Sequence, residues 1–285
     1  MRPSVIIESN QNVRYKAALA LREGRERRAT NRILVDGGRE IGRALEAGVR
    51  AVELWVASDR ARDDEGAAAL ETAAALRVPA LQASPELMAR LSFGDRDDGL
   101  VLVAHVPSVA LDDLELPAGA LVGVVETIEK PGNLGAIMRT ADGAGLDAVI
   151  VADPRSDPWN PNAIRASMGT LFTVPLAVCT AEAALELLRD EGIRIAAARV
   201  DGSVPYTEAD LSGPLAIVLG SEAEGLSPAW AGDDVTAIHI PMLGIADSLN
   251  VSVSAAILFY EARRQRGARP ASSARGAAVE PRRAG

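Results

Sequence analysis

Beyond residue 120 the chain alternates short, continuous apolar runs with segments of helical spacing, and that alternation leaves few folds open. The runs at 121–126, 148–152, 193–200, 215–220 and 236–240 are too uniformly apolar to keep one face wet. Between them, 134–145, 161–169, 181–191 and 248–266 repeat apolar residues at helical spacing. Strands buried on both faces and separated by helices predict a mainly parallel sheet, so the fold class is α/β. The first half shows helical spacing at 39–48, a β-rich run at 49–57, an alanine-rich helix at 65–77 that stops before Pro79, and an apolar strand at 100–106. Residues 107–119, PSVALDDLELPAG, have no strong period and read as a linker. The expected organisation is a first domain at 1–107, a linker at 108–119, a second domain at 120–267 and a tail at 268–285. The tail is rich in Ala, Arg, Ser, Pro and Gly, cannot bury a core, and is expected to be disordered.

Composition narrows the function classes. With 48% hydrophobic and 24% charged residues the 285-residue chain is globular, and no apolar run approaches the roughly 18 residues a membrane span needs. Cys179 is the sole cysteine and lies in an apolar stretch, which removes disulfides, thiolate metal cages and paired redox chemistry. A reducing cytosol fits, and MRPSVIIESN lacks a secretory core and cleavage site, so a cytoplasmic location is expected. The net charge of −9 is unevenly spread. Residues 14–32 hold Arg14, Lys16, Arg22, Arg25, Arg27, Arg28 and Arg32 against Glu23 and Glu26, and 263–285 hold seven Arg against Glu280. An acidic body with two basic extremities would meet a polyanion with its ends; solvated basic termini are the alternative.

Several chemistries are refused. There is no G-x-G-x-x-G after the first strand of the second half, no G-x-x-x-x-G-K-[ST] and no G-x-S-x-G, so dinucleotide, P-loop and α/β-hydrolase sites are disfavoured. His105 and His239 each fall inside an apolar strand and read as packed histidines; with one cysteine they argue against zinc. Open parallel sheets bind ligands at the carboxyl ends of their strands, and three segments there stand out. ETIEKPGNLGAIMR (126–139) runs from a strand through a Pro-Gly turn to Asn133, expected at a helix N-cap, and to Arg139. IVLGSEAEGL (217–226) takes a buried strand into glycines and Glu222. IHIPMLGIADSLNVSVS (238–254) leads through Ser248, Leu249 and Asn250 into an apolar helix.

Together these segments resemble, in order, the three motifs of the SpoU (TrmH) family of RNA 2′-O-ribose methyltransferases in the SPOUT class: Asn133-Leu-Gly135 with Arg139; Leu219-Gly220-Ser221-Glu222 with Gly225; and Ile240-Pro241-Met242 with Ser248-Leu249-Asn250-Val-Ser-Val. The resemblance covers about 121–266. More loosely, RRATNRILVDGGREIGRALEAGV (27–49) and FGDRDDGLVLV from Phe93 look like the ribosomal-protein-like α/β substrate-binding domain that precedes many such enzymes. It implies a parallel-sheet domain with a deep trefoil knot, a homodimer, S-adenosylmethionine as donor and ribosomal RNA as substrate. The layout is similar to antibiotic-resistance members that modify 23S ribosomal RNA, the avilamycin type above all.

Carried over, Leu219, Gly220, Ile240, Met242, Ser248 and Leu249 would bind the donor, and Arg139, Asn133, Glu222 and Asn250 would be catalytic. Arg25, Arg28, Arg32 and Arg165 are the expected RNA contacts. A guanidinium is a poor base, so Arg139 is read as an electrostatic clamp on the 2′-oxygen or a neighbouring phosphate. Aromatics are scarce in the first half (Tyr15, Trp55, Phe93), so base stacking is not its main device. The rivals are a housekeeping tRNA or rRNA methyltransferase, a catalytically silent RNA-binding protein on the same scaffold, and a small-molecule methyltransferase.

Overall fold

The computed structural model describes residues 5–58, 63–93, 99–221 and 224–267. Glu222, residues 94–98 of the FGDRDDGLVLV segment, and the tail at 268–285 lie outside them. The first half contains β1 (Val5–Ile7), α1 (Val13–Ala20), α2 (Gly24–Thr30), β2 (Arg32–Asp36), α3 (Gly38–Glu46), β3 (Ala51–Ala57), α4 (Asp64–Ala75), β4 (Ala80–Ala83), α5 (Pro85–Leu91) and β5 (Leu100–His105). Among the described residues its sheet has the order β1-β4-β3-β5-β2, with β5 antiparallel to both neighbours and the other pairs parallel. Local signals explain the helix starts: Asp63 accepts from the Gly66 amide, and Ser84 from Leu87, with Pro85 in the first turn.

The second half contains β6 (Leu121–Glu126), α6 (Pro131–Ala144), β7 (Ala148–Ala152), α7 (Pro161–Ala166), β8 (Leu176–Cys179), α8 (Ala181–Asp190), β9 (Arg194–Ala198), β10 (Val204–Pro205), β11 (Leu215–Leu219), β12 (Val235–His239) and α9 (Val251–Gln265). Its strands pair in parallel in the order β10-β12-β9-β11-β6-β7-β8. The expected parallel α/β sheet is therefore present. Its central strands β6, β7 and β11 are buried at every position, as uninterrupted apolar runs require. One sheet face buries Val122, Ile150 and Val218 against α8; the other buries Leu121, Val149 and Ile217 with α6 and α9.

That second core does not stop at the sheet. It continues through Leu134, Ile137, Met138, Ile164 and Leu171 into Ile33, Val35, Ile41 and Leu54 of the first half. The seam also carries two crossed ion pairs: Arg27 Nε lies 2.7 Å from Asp157, and Arg165 Nη1 lies 3.0 Å from Asp36. Arg27 is only 3% exposed and also donates to the carbonyls of Leu21 and Arg22. Two expectations change here. Arg165, expected to face RNA, is engaged by Asp36 at the seam. Arg27, one of the basic cluster, is buried, because a guanidinium can satisfy a carboxylate and two carbonyls at once.

Candidate active site and cofactor pocket

The carboxyl ends of β9, β11 and β12 open into a cavity of about 450 Å³. Its walls include Leu219 and Gly220 from the end of β11, Ile240 and Met242 after β12, Ser248 and Leu249 just before α9, and Leu258 within it. All six residues expected to bind the donor line this one space. Gly220 is there for a steric reason: a Cβ on it would fall 2.3 Å from the Gly225 backbone, which folds back so that Ser221 and Gly225 exchange both backbone hydrogen bonds at 3.1 Å. Gly225 itself has φ +71, in the left-handed region that glycine reaches without strain. The loop is held from below by Glu126, 1% exposed, whose carboxylate accepts from the amide and the hydroxyl of Ser227 at 2.7 and 2.6 Å. Sequence reading passed over that role, although a carboxylate closing an apolar strand was a signal.

Asn133 and Asn250, 117 residues apart in sequence, are brought together: Asn250 Nδ2 donates to Asn133 Oδ1 at 3.3 Å. Asn250 caps α9, its Oδ1 accepting from the Ser252 amide and hydroxyl. Asn133 does not cap α6. The helix begins at Pro131 with Lys130 as its cap residue, so Asn133 sits in the first turn, its side chain released to meet Asn250. A crevice lined by Lys130, Asn133, Gly220, Ser221 and Val251 joins the three motif segments.

Arg139 is not in this group. Six residues beyond Asn133 it points roughly 120° away around the helix. It is exposed and forms no hydrogen bond or ion pair with another residue of this chain among those described. Gly143 lies one turn further along the same helix face, under the hydroxyl of Tyr260, which is 53% exposed. On α9, Val253, Ala256, Ile257 and Tyr260 form a partly exposed apolar stripe beside it.

Around the pocket, Arg155 bridges Glu129 and Glu224, tying the loops after β6 and β11, while Arg199 pairs with Asp201. The buried Nδ1 of His239, a pocket residue, has no hydrogen-bond partner among the described residues. His239 is thus a wall of the cavity and not a packed core histidine. Cys179 is half-buried, and desolvation pushes its thiol up to about 11, an inert group. Among the described residues no cluster of His, Cys, Asp and Glu could hold a metal, and no helix is long and apolar enough to cross a membrane. Arg25, Arg28 and Arg32 are exposed on α2 and at the start of β2.

Fold, pocket and comparison with known proteins make this chain an RNA methyltransferase. The model of the SpoU rRNA methylase family matches residues 120–260, and that of the MRM3-like substrate-binding domain matches 10–101. The chain belongs to the SpoU family. It is 30% identical to a Streptomyces viridochromogenes 23S rRNA (uridine(2479)-2′-O)-methyltransferase over 90% of this chain and 92% of that one. To the Bacillus subtilis 23S rRNA (guanosine(2553)-2′-O)-methyltransferase RlmP it is 28% identical, over 90% and 98%. Among solved structures, the S-adenosylmethionine-bound rRNA methyltransferase of Sinorhizobium meliloti superposes with a TM-score of 0.82 at 27% identity, over 91% of this chain and 98% of that one.

Proposed function

We propose that the chain methylates a ribose 2′-hydroxyl of 23S ribosomal RNA, with S-adenosylmethionine as donor. The observation that carries this reading is the convergence of three distant segments: Asn133 from the first, Gly220 and Ser221 from the second, and Asn250 from the third meet at the edge of one cavity. The residues present fit the donor. The volume is that of a small-molecule site, the walls mix apolar side chains such as Leu219, Ile240 and Leu249 with polar ones such as Asp201 and Ser248, Gly220 leaves no room for a side chain, and His239 Nδ1 is a polar atom left over for a ligand. Leu219, Ile240, Met242 and Leu249 would hold the adenosine and methionine parts, with Ser248 at the exposed end. The trefoil knot implied by the family belongs to this reading.

What the bound donor supplies is an electrophilic sulfonium methyl. The work of the chain is to aim a 2′-oxygen along the C–S axis and to favour the charge that grows on that oxygen. A C–O bond forms as the C–S bond breaks, and the hydroxyl proton passes to a substrate phosphate or water. Asn133 and Asn250 orient the ribose, Glu222 orients the arginine or the ribose, and Arg139 clamps the oxygen or an adjacent phosphate. Because Arg139 faces away from its own Asn133, the reading takes the enzyme as a homodimer. The α9 stripe of Val253 and Tyr260 forms the contact, and Arg139 enters the partner subunit's site. The first domain, with exposed Arg25, Arg28 and Arg32, supplies RNA contacts.

The test is methyl transfer from labelled S-adenosylmethionine to unmodified 23S rRNA and tRNA transcripts, with the labelled ribose mapped. Transfer to one nucleotide of 23S rRNA that Arg139→Ala abolishes supports the reading. Transfer to tRNA alone replaces the substrate, and donor binding with no transfer to either RNA overturns the enzyme.

A further inference from the structure

Away from the pocket, three strands of the first sheet end side by side with a basic residue on each. Arg32 opens β2 directly opposite His105, the last residue of β5, and the His105 amide donates to the carbonyl of Arg50, just before β3, at 2.9 Å. Ala104 pairs with Ile33 on one side and Ala51 on the other, so Arg32, His105 and Arg50 form the next row across the sheet. Alternation puts the three side chains on one face. Ile33, Ala51 and Ala104 pack into the core shared with the second half, whereas Leu34, Val52 and Val103 face α1 and α5, the side to which Arg32, Arg50 and His105 belong. Strands about 4.8 Å apart spread three basic groups over about 10 Å.

Arg32 and Arg50 are exposed and His105 half-buried, and none of the three meets a carboxylate among the described residues. The pair one row further in, Arg14 with Glu53 at 2.7 Å, is already closed. Like charges opposite each other on a sheet cost stability. His105 registers the cost: partial desolvation, then the charges of Arg50 and Arg32, hold its pKa below the ordinary histidine value. In a chain of net charge −9, this is a local excess of positive charge that no carboxylate pairs with among the described residues.

We propose that the row Arg32–His105–Arg50 is a phosphate-binding edge that seats the RNA backbone on the first domain. The proposal rests on the reading of the chain as an rRNA methyltransferase and deepens it by assigning a surface to recognition. Backbone contact is favoured over base stacking because Tyr15, Trp55 and Phe93 are all buried, at 1%, 0% and 8% exposure. Two guanidinium forks can each take a phosphate bidentately, and a phosphate between them favours the imidazolium of His105. Binding is then linked to proton uptake and strengthens as pH falls through the histidine range. The charges facing His105 are Arg50 from the β3 side and Arg32 from β2.

The chain has two histidines, which makes the test direct. Imidazole proton resonances are followed through a pH titration with and without a hexameric oligouridylate, His105 being assigned by its loss in His105→Gln. The expected result is an upward move of the His105 titration by roughly one unit. In filter binding to an unmodified 23S rRNA transcript between 50 and 200 mM salt (about the range over which phosphate contacts are lost), Arg32→Ala and Arg50→Ala should each flatten the log–log salt slope by about 0.7–0.9. Their Kd for RNA should rise several-fold, with donor affinity unchanged. Slopes and Kd like those of the wild type, with a His105 titration indifferent to oligouridylate, overturn the row even if every variant methylates rRNA. Conversely, a wild type that methylates no RNA while His105 still answers to oligouridylate overturns the enzymatic reading and leaves the row standing.

Discussion

Single residues fix the site by what they exclude as much as by what they contact. A methyl group on Gly220 would overlap the Gly225 backbone at 2.3 Å, and that backbone cannot retreat while Glu126 grips Ser227. Gly220→Ala is therefore expected to weaken S-adenosylmethionine binding at least about tenfold by calorimetry, a loss of roughly 1.4 kcal/mol. Arg139 stands outside the pocket of its own chain. Arg139→Ala should lower kcat by about 10²–10³ and leave the donor Kd within about twofold, the mark of a group that acts on the reacting oxygen and not on the donor. Arg139→Lys should recover little, because an ammonium cannot reproduce a bidentate fork. Cys179 gives a pH prediction. A thiol raised to about 11 in the fold ionises more easily when unfolded, so its contribution is intact below about pH 9 and is lost as pH climbs towards 11. Thermal melts across that window should fall less steeply for Cys179→Ser, and alkylation of the native thiol should be slow at neutral pH.

At the scale of elements, α7 is the link between recognition and catalysis. It is six residues long, capped by Asn160 with Pro161 behind it, and it is pressed between β2 and α6. Gly135 of α6 makes that packing possible, since a Cβ there would fall 2.4 Å from the Ala163 carbonyl. From the other side Arg27 holds Asp157, Asp36 holds Arg165, and Arg43 donates to the Met168 carbonyl at 2.6 Å. Removing the carboxylate in Asp157→Ala strands a guanidinium that is 3% exposed, and a broken buried pair of this kind costs about 3 kcal/mol. The expected result is a drop in melting temperature of roughly 6–12 °C, read by calorimetry. Swapping the charges in Arg27→Asp with Asp157→Arg should recover only part of it, because the carbonyls of Leu21 and Arg22 lose their donor.

For the whole molecule, a core that runs from Ile33 and Leu54 through Leu134 and Ile164 to the second sheet means that the halves should melt together. The remaining exposed apolar surface on α9 sits beside Arg139. In the homodimer proposed above, a charge placed there in Tyr260→Glu should shift sedimentation from dimer to monomer and abolish methyl transfer, while the chain still folds and binds donor. A dimer that persists in this variant with full activity removes the subunit-crossing role of Arg139. The first half, with its basic row and with Arg25 and Arg28 exposed on α2, is the surface on which salt dependence of RNA binding should concentrate.

Much of this was legible in the chain itself. Uninterrupted apolar runs marked five of the seven parallel strands of the second half, to the residue for β6 and β7, because a strand buried on both faces reads as a continuous apolar run; β8 and β10, four and two residues long, were too short to register. The segments that line the pocket were legible through their resemblance to the family's motifs, whereas the helix cap expected at Asn133 falls on Lys130, and Asn250 caps α9. The short elements of the first half, β1, α1, α2, β2, β4 and α5, were not legible, for three to eight residues carry too little periodicity to stand out. Partners far apart in sequence were not legible either. That Asn250 meets Asn133, that Arg165 and Arg27 close a seam, and that Arg32 lies in a row with His105 and Arg50 depend on strand order and helix packing. Sequence sets which residues are apolar, small or charged; only the folded chain decides which charges cancel and which stay free for a substrate.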